Sequence, residues 1–117
     1  MTQTHQHINL DYLSLMSDGD RDMVQTMLEM LLVELPDELG QMKLLHRAGN
    51  WADLHRVSHK MKSTLAFVGN EELTAANRQI ELSSKQLSDL DQISGLLLEM
   101  EALFPQIMEA LKAATEQ

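Results

Sequence analysis

From Met23 to Leu111 the apolar residues of this 117-residue chain recur at intervals of three and four, and nowhere do they alternate with polar ones over the length of a strand. A chain with that spacing folds into helices. Short polar clusters punctuate the pattern and give the helices their ends. Asn9 caps a short helix over Leu10 to Met16, with Leu10, Leu13 and Met16 facing inward. Ser17-Asp18-Gly19-Asp20 reads as a turn and a new N-cap. From Asp20 to Ala48 the inward positions include Met23, Val24, Met27, Leu28, Leu31, Leu35, Leu39 and Met42. Pro36 removes one backbone hydrogen bond within that run, so two helices or a single kinked one are both allowed.

Gly49-Asn50 closes this segment and opens the next, Trp51 to Val68, with Asp53 in its first turn. Gly69-Asn70-Glu71-Glu72 repeats the same punctuation. A helix from about Glu71 to Gln86 follows, carrying Leu73, Ala76, Ile80 and Leu87 inward. Ser88-Asp89-Leu90-Asp91 caps the last helix, which runs past Pro105, where a kink is expected, to Leu111. Residues 1–8 show no pattern and are expected to form a flexible tail; His5 and His7 within it are assigned no role. The expectation is one all-α domain over residues 9–117. Because the connections are brief, its simplest form is an antiparallel four-helix bundle with a short N-terminal capping helix.

Composition excludes several functions. The chain has no cysteine, which removes disulfides, thiolate metal sites and cysteine nucleophiles. The amino terminus lacks the basic start and apolar run of a signal peptide, and no apolar stretch approaches the ~18 residues of a membrane span. A soluble, cytoplasmic protein is therefore expected. A net charge of −9 argues against nucleic acid, whose backbone attracts clustered Lys and Arg. The charge is unevenly spread. Residues 41–68 carry Lys43, Arg47, Arg56, Lys60 and Lys62 against Asp53 alone, a balance of +4, which leaves −13 for the remaining 89 residues.

His59 lies in the middle of that basic stretch. With ~100° per residue and His59 at zero, Leu54, Val57, Met61, Leu65 and Val68 fall at roughly 160–240°. The apolar stripe thus points away from the histidine. Ala52, His55, Arg56, Lys62, Ser63 and Ala66 share its face, with Phe67 just outside. Imidazole, whose ordinary pKa is about 6.5, offers a nitrogen lone pair near neutral pH. Cations beside it suit a phosphoryl group, and Lys62, one turn on, is placed to reach one. Ser63 sits where a larger side chain would cover the ring, because helical side chains lean over the preceding turn. His55 and His59, four apart, match half of a zinc site, but no third ligand accompanies them. His46 reads as a surface or helix-end residue.

The run His59-Lys60-Met61-Lys62-Ser63-Thr64 followed by Gly69 resembles the His-x-x-Lys-Gly-Ser signature and trailing glycine of histidine-containing phosphotransfer (HPt) domains. The likeness spans roughly residues 20 to 86, including the leucine-rich helix with its proline and the Gly-Asn-Trp lead-in to the histidine helix. It implies that His59 is the phospho-accepting residue, that Lys62 neighbours the phosphate with Arg56 in support, that Thr64 is the small hydroxyl position, and that Gly69 ends the helix. Ser63 departs from the usual glycine. The resemblance also implies a four-helix bundle in which Asp20 to Ala48 is one long kinked helix.

Its mechanism would be transfer between aspartates on receiver domains, with response-regulator receiver domains and a hybrid sensor histidine kinase as partners. Mg²⁺ and most catalytic groups would belong to the receiver. The chain itself would be a monomeric carrier with no bound cofactor or metal rather than an enzyme. The sequence shows no catalytic acid or base cluster and no ATP-binding glycine-rich motif. Ala52, His55, Ala66 and Phe67 are the candidate docking face, although Ala66 and Phe67 serve equally as core edge. The competing expectation is a helical adaptor that binds a receiver or another signalling partner without accepting phosphate.

Overall fold

A computed structural model describes residues 7–116. They form helices α1 (Asp11–Met16), α2 (Arg21–Arg47), α3 (Trp51–Val68), α4 (Glu71–Gln86) and α5 (Ile93–Thr115), with one 3-10 turn, Leu90–Gln92, before the last. No strand occurs among the described residues. Each of α2 to α5 packs on the next, and α5 closes back onto α2, giving a four-helix bundle. The core stripe of α2 is Leu28, Leu31, Leu35, Leu39 and Met42, and it meets Leu54, Met61, Leu65 and Val68 of α3. Leu73, Ala76 and Ile80 of α4 and Ile93, Leu97, Met100, Phe104, Ile107 and Leu111 of α5 complete the core.

α2 is a single helix through Pro36. The proline lies on the exposed side, where water can reach the carbonyl it leaves unbonded. Leu35 and Leu39 flank it in the core, and each buried leucine contributes roughly 1.5–3 kcal/mol. The stripe as a whole outweighs a proline penalty of ~3 kcal/mol. Pro105 is carried within α5 in the same way.

The expected caps form at α2, α3 and α4, while α1 starts one residue later than expected, with Leu10 at its N-cap. The Asn9 side chain accepts from the Asp11 backbone N–H, Asp20 from Asp22 and Met23, Asn50 from Asp53, and Asn70 from Leu73. α5 differs from expectation: Asp89 adopts a left-handed conformation, makes no side-chain cap, and the 3-10 turn leads into the helix instead. Leu87, expected inside, is also left-handed and 63% exposed, because α4 has already ended at Gln86. Met16 and Met23 are exposed as well, since both lie at helix ends beyond the reach of the bundle.

His7 and Ile8, expected in the flexible tail, are held against the bundle. Ile8 is buried, the Asn9 N–H donates to the Val68 carbonyl at 2.9 Å, and Asn70 Nδ2 donates to the His7 carbonyl at 2.8 Å. Residues 7–10 are thereby strapped across the α3–α4 turn, with Ile8, Leu10 and Leu13 closing that end of the core. Residues 1–6, including His5, lie outside the described residues. Gly69 is fitted to this strap twice over: its φ of 70° is left-handed, and a Cβ there would run into the carbonyl oxygen of Asn9.

Candidate functional site

α3 exposes Arg56, Lys60 and Lys62, and its buried residues fix which way that basic face points. Leu54, Ser58, Met61, Thr64, Leu65 and Val68 are buried, an arc centred opposite His59. The His59 side chain is accordingly 65% exposed. Lys62, Ser63, Ala52 and Ala66 are exposed along the same face, while His55 is half-buried against α4. Ser63, one turn beyond His59, is itself exposed.

The residue that sequence reasoning missed is Glu81. α3 and α4 run antiparallel from the turn at Gly69-Asn70, which carries α4 back past His59. Glu81 Oε2 lies 2.6 Å from His59 Nδ1, and the Glu81 carbonyl oxygen lies 3.1 Å from His55 Nδ1. One residue of α4 therefore holds both histidines. The hydrogen bond from His59 keeps the Glu81 carboxyl below the usual carboxylate range, against a smaller opposing effect of burial, with Lys62 adding to the lowering. An ionised carboxylate only accepts hydrogen bonds. His59 Nδ1 must then carry the proton, which leaves the lone pair on Nε2, the outward nitrogen. A backbone carbonyl imposes the same tautomer on His55. A carboxylate thus stands directly behind the histidine.

The cations divide. Lys62, one turn beyond His59, has no ion-pair partner among the described residues and lies close enough to Glu81 to influence it. Arg56 is instead paired with Asp53 one turn earlier on α3, so its guanidinium is less free for a phosphoryl group than its place on the wheel implies. Being largely exposed, that pair is worth at most about 1 kcal/mol and yields to a stronger anion.

Thr64 is buried and donates to Glu38 Oε2 of α2 at 3.3 Å; Oε1 of Glu38 has no partner. Burial raises the Glu38 pKa, only partly offset by Thr64 and Lys60. Phe67 is half-buried, stacked on Tyr12 of α1 with ring centroids 5.3 Å apart. With Ser63, Thr64, Met27, Met30 and Glu34 it also lines a shallow cleft of about 130 Å³ between α2 and α3. Ala66 faces a wider groove of about 640 Å³ between α1, α3 and α4, where Arg78 and Tyr12 are the largest side chains. Of the four docking candidates, Ala66 and Phe67 thus sit at the margin between core and open groove. His46, at the far end of α2, stacks on Trp51 and takes no part. Among the described residues no group of three or more His, Asp or Glu side chains is arranged to hold a metal ion.

Comparison with known proteins agrees with this arrangement. The Hpt domain family profile matches residues 26–114, so the chain belongs to the Hpt domain family. It is a histidine phosphotransfer protein of the kind that works with receiver domains and histidine kinases in two-component phosphorelays. Two solved structures share its fold closely. Histidine-containing phosphotransfer protein B (HptB) from Pseudomonas aeruginosa PAO1 superposes with a TM-score of 0.85 at 18% identity, over 97% of each chain. The HPT domain of a hybrid sensor histidine kinase from Shewanella superposes with a TM-score of 0.78 at 19% identity, over 94% of each. Among curated proteins none matches in sequence.

Proposed function

We propose that His59 Nε2 is the atom that carries the phosphoryl group, received from and returned to receiver-domain aspartates. The observation that supports this most is the 2.6 Å contact between His59 Nδ1 and Glu81, which leaves the exposed nitrogen with its lone pair. In the forward step Nε2 forms the N–P bond while the O–P bond of the partner's aspartyl phosphate breaks. The electron pair of that bond leaves with the aspartate carboxylate. The Nδ1 proton stays on the ring, where Glu81 balances the positive charge that the imidazole acquires. Lys62 offers its ammonium to the transferred phosphoryl oxygens, and Arg56 can do so by exchanging Asp53 for them. Ser63 keeps the approach to Nε2 open.

Apart from the receiver's aspartyl phosphate, every group named so far belongs to this chain. In this reading the divalent cation, with Mg²⁺ as the expected ion, and the acyl-phosphate chemistry belong to the receiver. The chain then acts as a carrier that presents a nucleophile, and its partner supplies most of the catalysis. No described helix is long and apolar enough to cross a membrane. The reading places this carrier in the cytoplasm with its partners, acting as a monomer.

The test uses a receiver domain loaded from ³²P-labelled acetyl phosphate. The protein is expected to gain an acid-labile, base-stable label, and His59→Gln to gain none. Label retained in His59→Gln removes His59 from the role. A protein that binds the receiver equally well with and without His59 and never takes label is the adaptor instead.

A further inference from the structure

His59 and Glu81 stand on different helices, and their pair is too exposed to hold itself together. With the imidazole 65% in solvent, such a contact contributes at most about 1 kcal/mol. Yet its geometry tolerates little error. A slip of ~1 Å along the α3–α4 seam would take the 2.6 Å contact out of hydrogen-bond range. The spacing must therefore be imposed by something stiffer nearby.

The residues directly behind the pair are Ser58, next to His59, and Asn77, one turn before Glu81. They are 0% and 2% exposed. Ser58 Oγ donates toward Asn77 Oδ1 at 2.8 Å, with the Asn77 carbonyl also within 3.0 Å, and Asn77 Nδ2 donates back to the Ser58 carbonyl at 3.0 Å. Each side chain thus reaches the other helix's backbone as well as its side chain. Apolar side chains in the same place would fill the seam, but they would allow it to slide, since dispersion contacts lack direction. Reciprocal hydrogen bonds in a dry seam allow one register, because any slip leaves buried polar groups unpaired at ~1–3 kcal/mol each. Buried polar residues are known to set register between helices in this way.

We propose that the Ser58–Asn77 pair is a register clamp, a positioning device that holds Glu81 on His59 and so fixes the nucleophile's tautomer. The inference rests on the phosphotransfer reading above for its use, but not for its geometry. Both residues are buried, so the role assigned to them is positioning.

The test is the double variant Ser58→Ala/Asn77→Leu, which removes both halves of the network together and keeps the seam filled. Three quantities are read: thermal melting, the His59 ring tautomer from long-range ¹H–¹⁵N correlation spectra, and the rate of phosphoryl transfer from a loaded receiver. The expected result is a folded bundle in which His59 shows a mixture of tautomers and transfer falls about tenfold, within the ~10²-fold that a 1 Å misplacement can cost. A folded variant with the wild-type ring spectrum overturns the clamp, whether or not transfer slows. If the double variant does not fold, Ser58→Ala alone is read by the same criterion, with a smaller tautomer mixture expected and an unchanged spectrum overturning the proposal. Should wild-type His59 never take label, the phosphotransfer reading fails while the ring spectra still decide the clamp.

Discussion

Replacing Glu81 with Gln keeps an acceptor of the same length beside His59 Nδ1 but removes its charge. In the ground state little changes, because a neutral imidazole donates to either oxygen. In the transition state the ring moves toward a full positive charge, and the carboxylate's attraction grows with it. Unit charges ~4 Å apart interact by about 4 kcal/mol at an effective dielectric near 20. Roughly half of the charge has developed at the transition state, and solvent at this exposed ring screens part of the remainder. About 1–1.5 kcal/mol survives, which is roughly tenfold in rate. Single-turnover transfer from a phosphorylated receiver, followed by quenched flow, should therefore slow about tenfold in Glu81→Gln. Receiver binding should stay within about twofold, because Glu81 lies behind the ring. A rate equal to or above wild type would refute the electrostatic role and leave Glu81 a spacer.

Other substitutions test separate parts of the structure. Burial makes ionisation of Glu38 harder in the folded state than in the unfolded one, so its unfavourable contribution is absent below the unfolded carboxylate pKa and full above the raised folded one. Glu38→Met should therefore raise the melting temperature at pH 7 by about 4 °C, for ~1 kcal/mol recovered from the orphaned oxygen, and the gain should vanish as pH falls through the carboxylate range. Destabilisation at pH 7 would show that the Thr64–Glu38 bond outweighs the burial. Gly69→Ala must accept a left-handed backbone and displace Asn9, so a loss of about 2–3 kcal/mol is expected in urea melts; a change under 0.5 kcal/mol would mean the strap moves freely. Ser63→Leu should fold normally but lose transfer at least tenfold, whereas undiminished transfer would show that the ring is reached from its other side.

The starts of α2, α3 and α4 and the end of α3 were legible because each is marked by a residue whose conformation or side chain suits it: Asp20, Asn50 and Asn70 accept from backbone amides, and Gly69 adopts the left-handed turn. The face of His59 was legible for a similar reason, since a stripe at helical spacing leaves only one direction open. Pro36 was ambiguous from its local effect and is decided by the leucines on either side of it. What stayed hidden depended on pairing between helices. Glu81 is 22 positions from His59, and nothing in the α4 periodicity marks it. Reflecting His59 across the Gly69-Asn70 turn lands near position 80, however, so the antiparallel hairpin contained the signal. Ser58, Asn77 and Glu38 escaped notice because polar residues in a core are invisible to an apolar count. Arg56 was read without its neighbour: Asp53, in the first turn of α3, pairs with the guanidinium one turn on.

The central claim concerns one atom, and the position of the phosphorus on the ring decides it. The protein, loaded from a phosphorylated receiver, can be digested at alkaline pH and its phosphopeptides compared with the two phosphohistidine isomers by ³¹P NMR. The expected result is a single modified residue, His59, with phosphorus on Nε2 and the Nδ1 proton retained. Phosphorus on Nδ1 of His59, or on His55 in its place, would contradict the account, because it would require the Glu81 contact to be broken before the chemistry begins.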